Sequence, residues 1–122
     1  MGEWRADQSK HERRYQWGTV RGTKDPVWKD FAQRLKKIPE LQKFYHEKIG
    51  AEVHFWRQTK DPNGKTFWHS FLRFVGDGWG HWSVWWRPDE RRWHPTSIEE
   101  LPVGRALLAA REFYISKQDE FL

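Results

Sequence analysis

Between Ala51 and Pro88 apolar and polar residues alternate in three runs, separated by two compact breaks. A strand sends successive side chains to opposite faces, so a period of two predicts half-buried β-strands. The first break, Lys60 to Lys65, contains Asn63-Gly64, a dipeptide that tolerates the positive φ of a tight hairpin turn. The second, Gly76 to Gly80, places glycine at alternate positions and an aspartate, Asp77, where its side chain can cap the turn. The pattern predicts an antiparallel meander with strands near 51–59, 66–75 and 81–87.

The turn centres also predict a register. With Asn63-Gly64 as the loop pair and Gly78 at the second centre, one face carries Val53, Phe55, Arg57, Trp68, Ser70, Leu72, Phe74, Trp82, Val84 and Trp86. This reads as the core face, with Phe55, Leu72 and Val84 in one row. The other face carries His54, Trp56, Gln58, His69, Phe71, Arg73, Ser83, Trp85 and Arg87, and Trp56, Phe71 and Trp85 form a row across it. Rings and cations mix on this second face.

Helical periodicity flanks the meander. Asp25-Pro26 suits a helix start, and Trp28, Phe31, Leu35 and Ile38 then recur at spacings of three and four. Pro39 predicts a kink or restart, after which Leu41, Phe44, Tyr45 and Ile49 continue an apolar helical face as far as Gly50. Beyond the sheet, Asp89 to Pro95 reads as a charged connector. Thr96-Ser97-Ile98-Glu99-Glu100 has the order of a capping box, predicting a helix start near Ser97 with an interruption at Pro102. Val103, Leu107, Ala110 and Tyr114 define an amphipathic helix from about Pro102 to Ser116.

The fold class predicted is α+β: a three-stranded antiparallel meander between an N-terminal helix, kinked at Pro39, and a C-terminal helix. Residues 1–25 read as an arm, in which alternation from Tyr15 to Arg21 admits an extra edge strand. Residues 26–118 form a single domain and 119–122 a tail. The order helix, three strands, helix resembles that of double-stranded-RNA-binding domains in topology only. Pro102-Val103-Gly104-Arg105 stands here in place of that family's Lys-rich start to the final helix, and topology alone does not carry function.

Composition changes the picture at two points. Ten Trp, eight Phe and three Tyr in 122 residues, against a mean hydropathy of -1.02, require a core built from rings and leave rings over for the surface. A formal net charge of +5 and a pI of about 9.6 favour an anionic partner. The absence of cysteine excludes a disulfide framework and thiolate chemistry, and fits a cytoplasmic protein. No segment approaches the length of a membrane span, so no membrane partner is expected.

The aromatic and basic sheet face carries the sharpest functional expectation, because bases stack on flat rings while nearby cations meet phosphates. The residues so assigned are Trp56, Phe71, Trp85, Arg73, Arg87, His69 and Lys65. The expectation is a nucleic-acid-binding module for single-stranded or structured nucleic acid, and not a catalyst. The second reading is a protein-interaction domain, an inhibitor or assembly subunit, that meets an acidic protein through exposed Trp and Arg anchors. His54, His69, His81 and His94 fall near the sheet without the close spacing of a metal site, and neither metal nor other cofactor is expected.

Overall fold

The computed structural model describes residues 26–120. The expected edge strand at Tyr15 to Arg21 and the last residues of the tail lie outside them. Helix α1 (Pro26–Leu35) has proline in its first turn, where no amide hydrogen bond is lost, and buries Trp28, Phe31 and Leu35 on one stripe. The chain turns at Lys36-Lys37 and restarts at Pro39 as the single-turn α2 (Pro39–Gln42). Strands β1 (Tyr45–Ile49), β2 (Glu52–Lys60), β3 (Thr66–Gly76) and β4 (His81–Trp86) then pair in order, all antiparallel. Two short strands, β5 (His94–Pro95) and β6 (Leu101–Pro102), both pair with the outer edge of β4. Helix α3 (Val103–Lys117) follows directly. Among the described residues no helix is long and apolar enough to cross a membrane.

The fold is α+β as expected, with the meander flanked by helices, and the sheet is larger than the pattern foretold. Residues 45–49, expected as helix, form β1. The spacing of Leu41, Phe44, Tyr45 and Ile49 suits a helix, but Tyr45 and Ile49, four residues apart, also fall on one face of a strand. Pairing with the edge of β2 decides between the two periods. Gly50 does adopt positive φ, +62°, yet as part of the turn between two strands. The expected helix start near Ser97 is also replaced. The Thr96 hydroxyl donates to Val84 O at 2.6 Å, Ile98 N donates to Thr96 Oγ1, and Val84 N donates to Ile98 O, which holds this segment along β4.

A bulge changes the faces of β3. Phe55 lies opposite Leu72, but Trp56 lies opposite Ser70, so Phe71 is the extra residue. The loop is longer than the Asn63-Gly64 pair assumed: Asp61 N donates to Lys65 O, and the Asp61 carboxylate receives the amides of Asn63 and Lys65. The resulting one-residue offset persists to Trp56 and is absorbed at Phe71. A shift of one residue exchanges faces. His69 and Phe71, assigned outward from the sequence, therefore belong to the inward face, while Trp68 and Ser70 move outward. The β3–β4 register differs by two residues, which preserves the faces: Leu72 meets Trp86, and Phe74 meets Val84. The expected row of Phe55, Leu72 and Val84 is corrected to Phe55, Leu72 and Trp86.

Both longer helices pack on the inward face. Phe31 of α1 meets Phe74 edge-on at 5.3 Å and Trp82 at 4.9 Å, while Tyr114 of α3 meets Phe71 at 5.6 Å and Phe113 meets Trp86 at 5.2 Å. One glycine makes this closeness possible. A Cβ on Gly76 would stand 2.9 Å from Trp82 Cζ3 and 3.1 Å from the Ala51 carbonyl oxygen. The rings thus form a packed layer in which Phe31, Phe55, Phe71 and Phe74 are fully buried.

Candidate nucleic-acid interface

The outward face is organised around Arg73 in β3. Its neighbours across the sheet are His54 in β2 and Trp85 in β4. This row replaces the expected row of Trp56, Phe71 and Trp85, for the reason of register given above. The Arg73 guanidinium carbon lies 5.4 Å from the Trp85 ring centroid and 4.9 Å from that of Trp93. Trp93 belongs to the connector between β4 and β5, and it also lies 4.7 Å from the Arg87 guanidinium carbon and 6.1 Å from the His54 ring. Two cations and two indoles therefore share one half-buried patch.

The bulge fixes Arg87. Its backbone amide donates to Phe71 O at 3.0 Å and its Nε donates to Ser70 O at 3.2 Å, so two successive carbonyls of the irregular stretch hold one residue. From the inward side, His69 Nε2 donates to the Arg87 carbonyl at 2.9 Å. Burial lowers the Arg87 guanidinium from its ordinary value, opposed by Glu90, reinforced by Arg73 and opposed again by Asp89. Glu52 supplies a carboxylate to the patch, 2.9 Å from His54 Nε2 and 3.9 Å from Arg73 Nε. Burial lowers His54 from the usual imidazole value; the Glu52 contact opposes this, and the charges of Arg73 and Arg87 add to it.

The structure divides the residues singled out by sequence. Arg73, Trp85 and Arg87 come together on the half-buried outward patch. Trp56 is outward by register but only 4% exposed, and Phe71 is wholly buried, with Arg57 over its ring at 5.4 Å and Phe44 and Tyr114 against it. Neither ring presents an open face to a base, which corrects the expectation for both. His69 is 1% exposed; it reaches the patch through its hydrogen bond to the Arg87 carbonyl, and burial pushes its imidazole down to about 4. Lys65 sits in the β2–β3 turn, eight residues from Arg73 along the strand direction, or roughly 25 Å away. It is not part of the patch.

Trp93, Glu52 and His54 are the residues that the sequence reading left out of the site. Trp93 stands in Arg91-Arg92-Trp93-His94, a ring directly after two cations inside a stretch that otherwise reads as a charged connector. That composition was the available signal. Among the described residues no three His, Asp or Glu side chains gather as a metal site.

Comparison with known proteins gives a partial similarity. No family model and no solved structure matches the chain. It is 32% identical over 81 residues to the threonine–tRNA ligase of Hahella chejuensis, an alignment spanning 66% of this chain and 11% of that protein. It is 32% identical over 76 residues to the threonine–tRNA ligase of Marinobacter nauticus, spanning 62% of this chain and 10% of that protein. The chain thus spans about a tenth of the length of the curated relatives it matches.

Proposed function

We propose that this chain is an RNA-binding module, without a catalytic step of its own, that engages a single-stranded stretch through Arg73, Arg87, Trp85 and Trp93. The observation that carries the reading is the sharing of the Arg73 guanidinium between the Trp85 and Trp93 rings. A guanidinium held on indoles keeps its planar donors in a fixed direction, suited to phosphate oxygens, while the exposed parts of the rings remain available for stacking. Flat rings next to fixed cations match the two repeating parts of a single strand, base and phosphate. The net charge of +5 acts in the same direction at long range. The relatives' name supports RNA as the nucleic acid, since threonine–tRNA ligases are named for a tRNA substrate.

The test is titration of fluorescently labelled oligonucleotides, single-stranded RNA, duplex RNA and single-stranded DNA, into the full chain at low and moderate salt. The expected result is saturable binding of single-stranded RNA that weakens as salt rises. Absence of binding to every oligonucleotide at low salt would overturn the proposal and favour the protein-interaction reading. That second reading has one specific observation behind it: Trp79 is 85% exposed at the tip of the β3–β4 turn, where Asp77 Oδ1 receives its amide at 2.7 Å. An indole projecting from a turn whose backbone is held in this way is a natural anchor for a protein pocket.

A further inference from the structure

The outward face continues past Trp85 into a hollow of about 390 Å³, lined among others by Val75, Ser83, Trp85, Thr96, Glu99 and Glu100. Its floor comes from β3 and β4 and its wall from the segment that runs along the β4 edge. The volume falls within the roughly 300–1,000 Å³ of small-molecule sites. Glu100 is fixed there in an unusual backbone conformation, φ +50°, with its amide donating to Ser83 Oγ at 3.0 Å. Because the Ser83 oxygen accepts in this bond, the hydroxyl keeps its proton to donate, and that proton meets no acceptor among the described residues.

We infer that this hollow is a nucleobase subsite selective for guanine, with the base on Trp85 and its hydrogen-bonding edge toward Ser83 and the Glu99–Glu100 carboxylates. The inference rests on the RNA-binding reading of the neighbouring patch. In a polyanion bound on Arg73 and Arg87, the phosphates are held on the cationic side of Trp85 and repelled from the carboxylate side. The uncharged bases are the parts of the strand that gain by entering the hollow. A carboxylate only accepts hydrogen bonds, so it discriminates among bases by the donors they offer. Guanine presents N1–H and the 2-amino group side by side, matching two carboxylate oxygens, with O6 adjacent as an acceptor for the Ser83 hydroxyl. Adenine and cytosine each offer one amino group, and uracil one ring N–H flanked by two carbonyls that the carboxylates repel. Position before α3 also gives Glu99 and Glu100 a favourable place near a helix N-terminus, but that role requires neither the hollow nor an indole wall.

The experiment compares a short uridine oligomer with the same oligomer carrying one guanosine or one inosine, against the full chain and its Glu99→Gln/Glu100→Gln variant. Wild type is expected to bind the guanosine oligomer about tenfold more tightly than the all-uridine one, a typical discrimination for a paired contact to a base edge. Inosine, which lacks the 2-amino group, is expected to fall between them. The variant is expected to lose the preference while binding the uridine oligomer at least as tightly as wild type, since negative charge has been removed. Equal affinity of wild type for all three oligomers, or a preference that survives in the variant, would overturn the guanine subsite and leave RNA binding standing. Failure of wild type to bind any oligomer would overturn both.

Discussion

Arg73 lies across the indole of Trp93, with its guanidinium carbon 4.9 Å from the ring centroid. The contact joins a residue in the middle of the sheet to one in an outlying connector, and it completes a patch that neither segment makes alone. Trp93→Ala is expected to reduce the affinity for single-stranded RNA by about 1–3 kcal/mol, the worth of one stacked base, while leaving the dependence on salt nearly unchanged. Anisotropy titrations at two salt concentrations check this. Thermal unfolding is expected to move little, because Trp93 is half-buried and absent from the packed core.

Phe71 and Trp79 separate packing from projection. Phe71 is wholly buried against Phe44, Tyr114 and the Arg57 guanidinium, so Phe71→Ala is expected to cost about 3–5 kcal/mol in urea unfolding. Trp79→Ala is expected to stay within about 0.5 kcal/mol of wild type, since its ring is 85% exposed and the Asp77 bond is made by its backbone amide. Comparable losses in the two variants would contradict the burial of Phe71 and the projection of Trp79.

His69 makes stability depend on pH. Its pKa is about 4 in the fold, mainly through burial, against an ordinary value of 6.5. Between these values the unfolded chain binds a proton that the folded chain does not, so stability is undiminished above about 6.5 and is lost as pH falls toward 4. The loss is on the order of 3 kcal/mol for this residue, and burial of His46 and His54 acts in the same direction. Urea midpoints at pH 7 and pH 4.5 measure it. His69→Gln, which retains a donor for the Arg87 carbonyl, is expected to flatten the profile; an unchanged slope would assign the effect elsewhere.

The sequence made the meander legible because alternation and turn chemistry agree there, and the helix stripe of Trp28, Phe31 and Leu35 has one clear period. Residues 45–49 were ambiguous because their apolar positions satisfy both periods, and only the unpaired edge of β2 chooses the strand. The outward face was half legible. Parity alone places Arg73, Trp85 and Arg87 on it, whereas a bulge that no turn signal announces moves His69 and Phe71 to the inward face. Trp93 is not legible in the sequence because its contacts with Arg73 and Arg87 are tertiary, made by a connector whose local pattern carries no face.

The most direct test of the account is the salt dependence of single-stranded RNA binding in wild type, Arg73→Gln, Arg87→Gln and the double variant, each verified as folded by circular dichroism. Each guanidinium that meets a phosphate contributes about one unit to the slope of log affinity against log salt. The account predicts a slope shallower by about one in each single variant and by about two in the double variant, with affinity falling alongside. A double variant that binds with wild-type affinity and an unchanged slope would contradict the central claim, that the cations seated on Trp85 and Trp93 form the RNA-contacting surface.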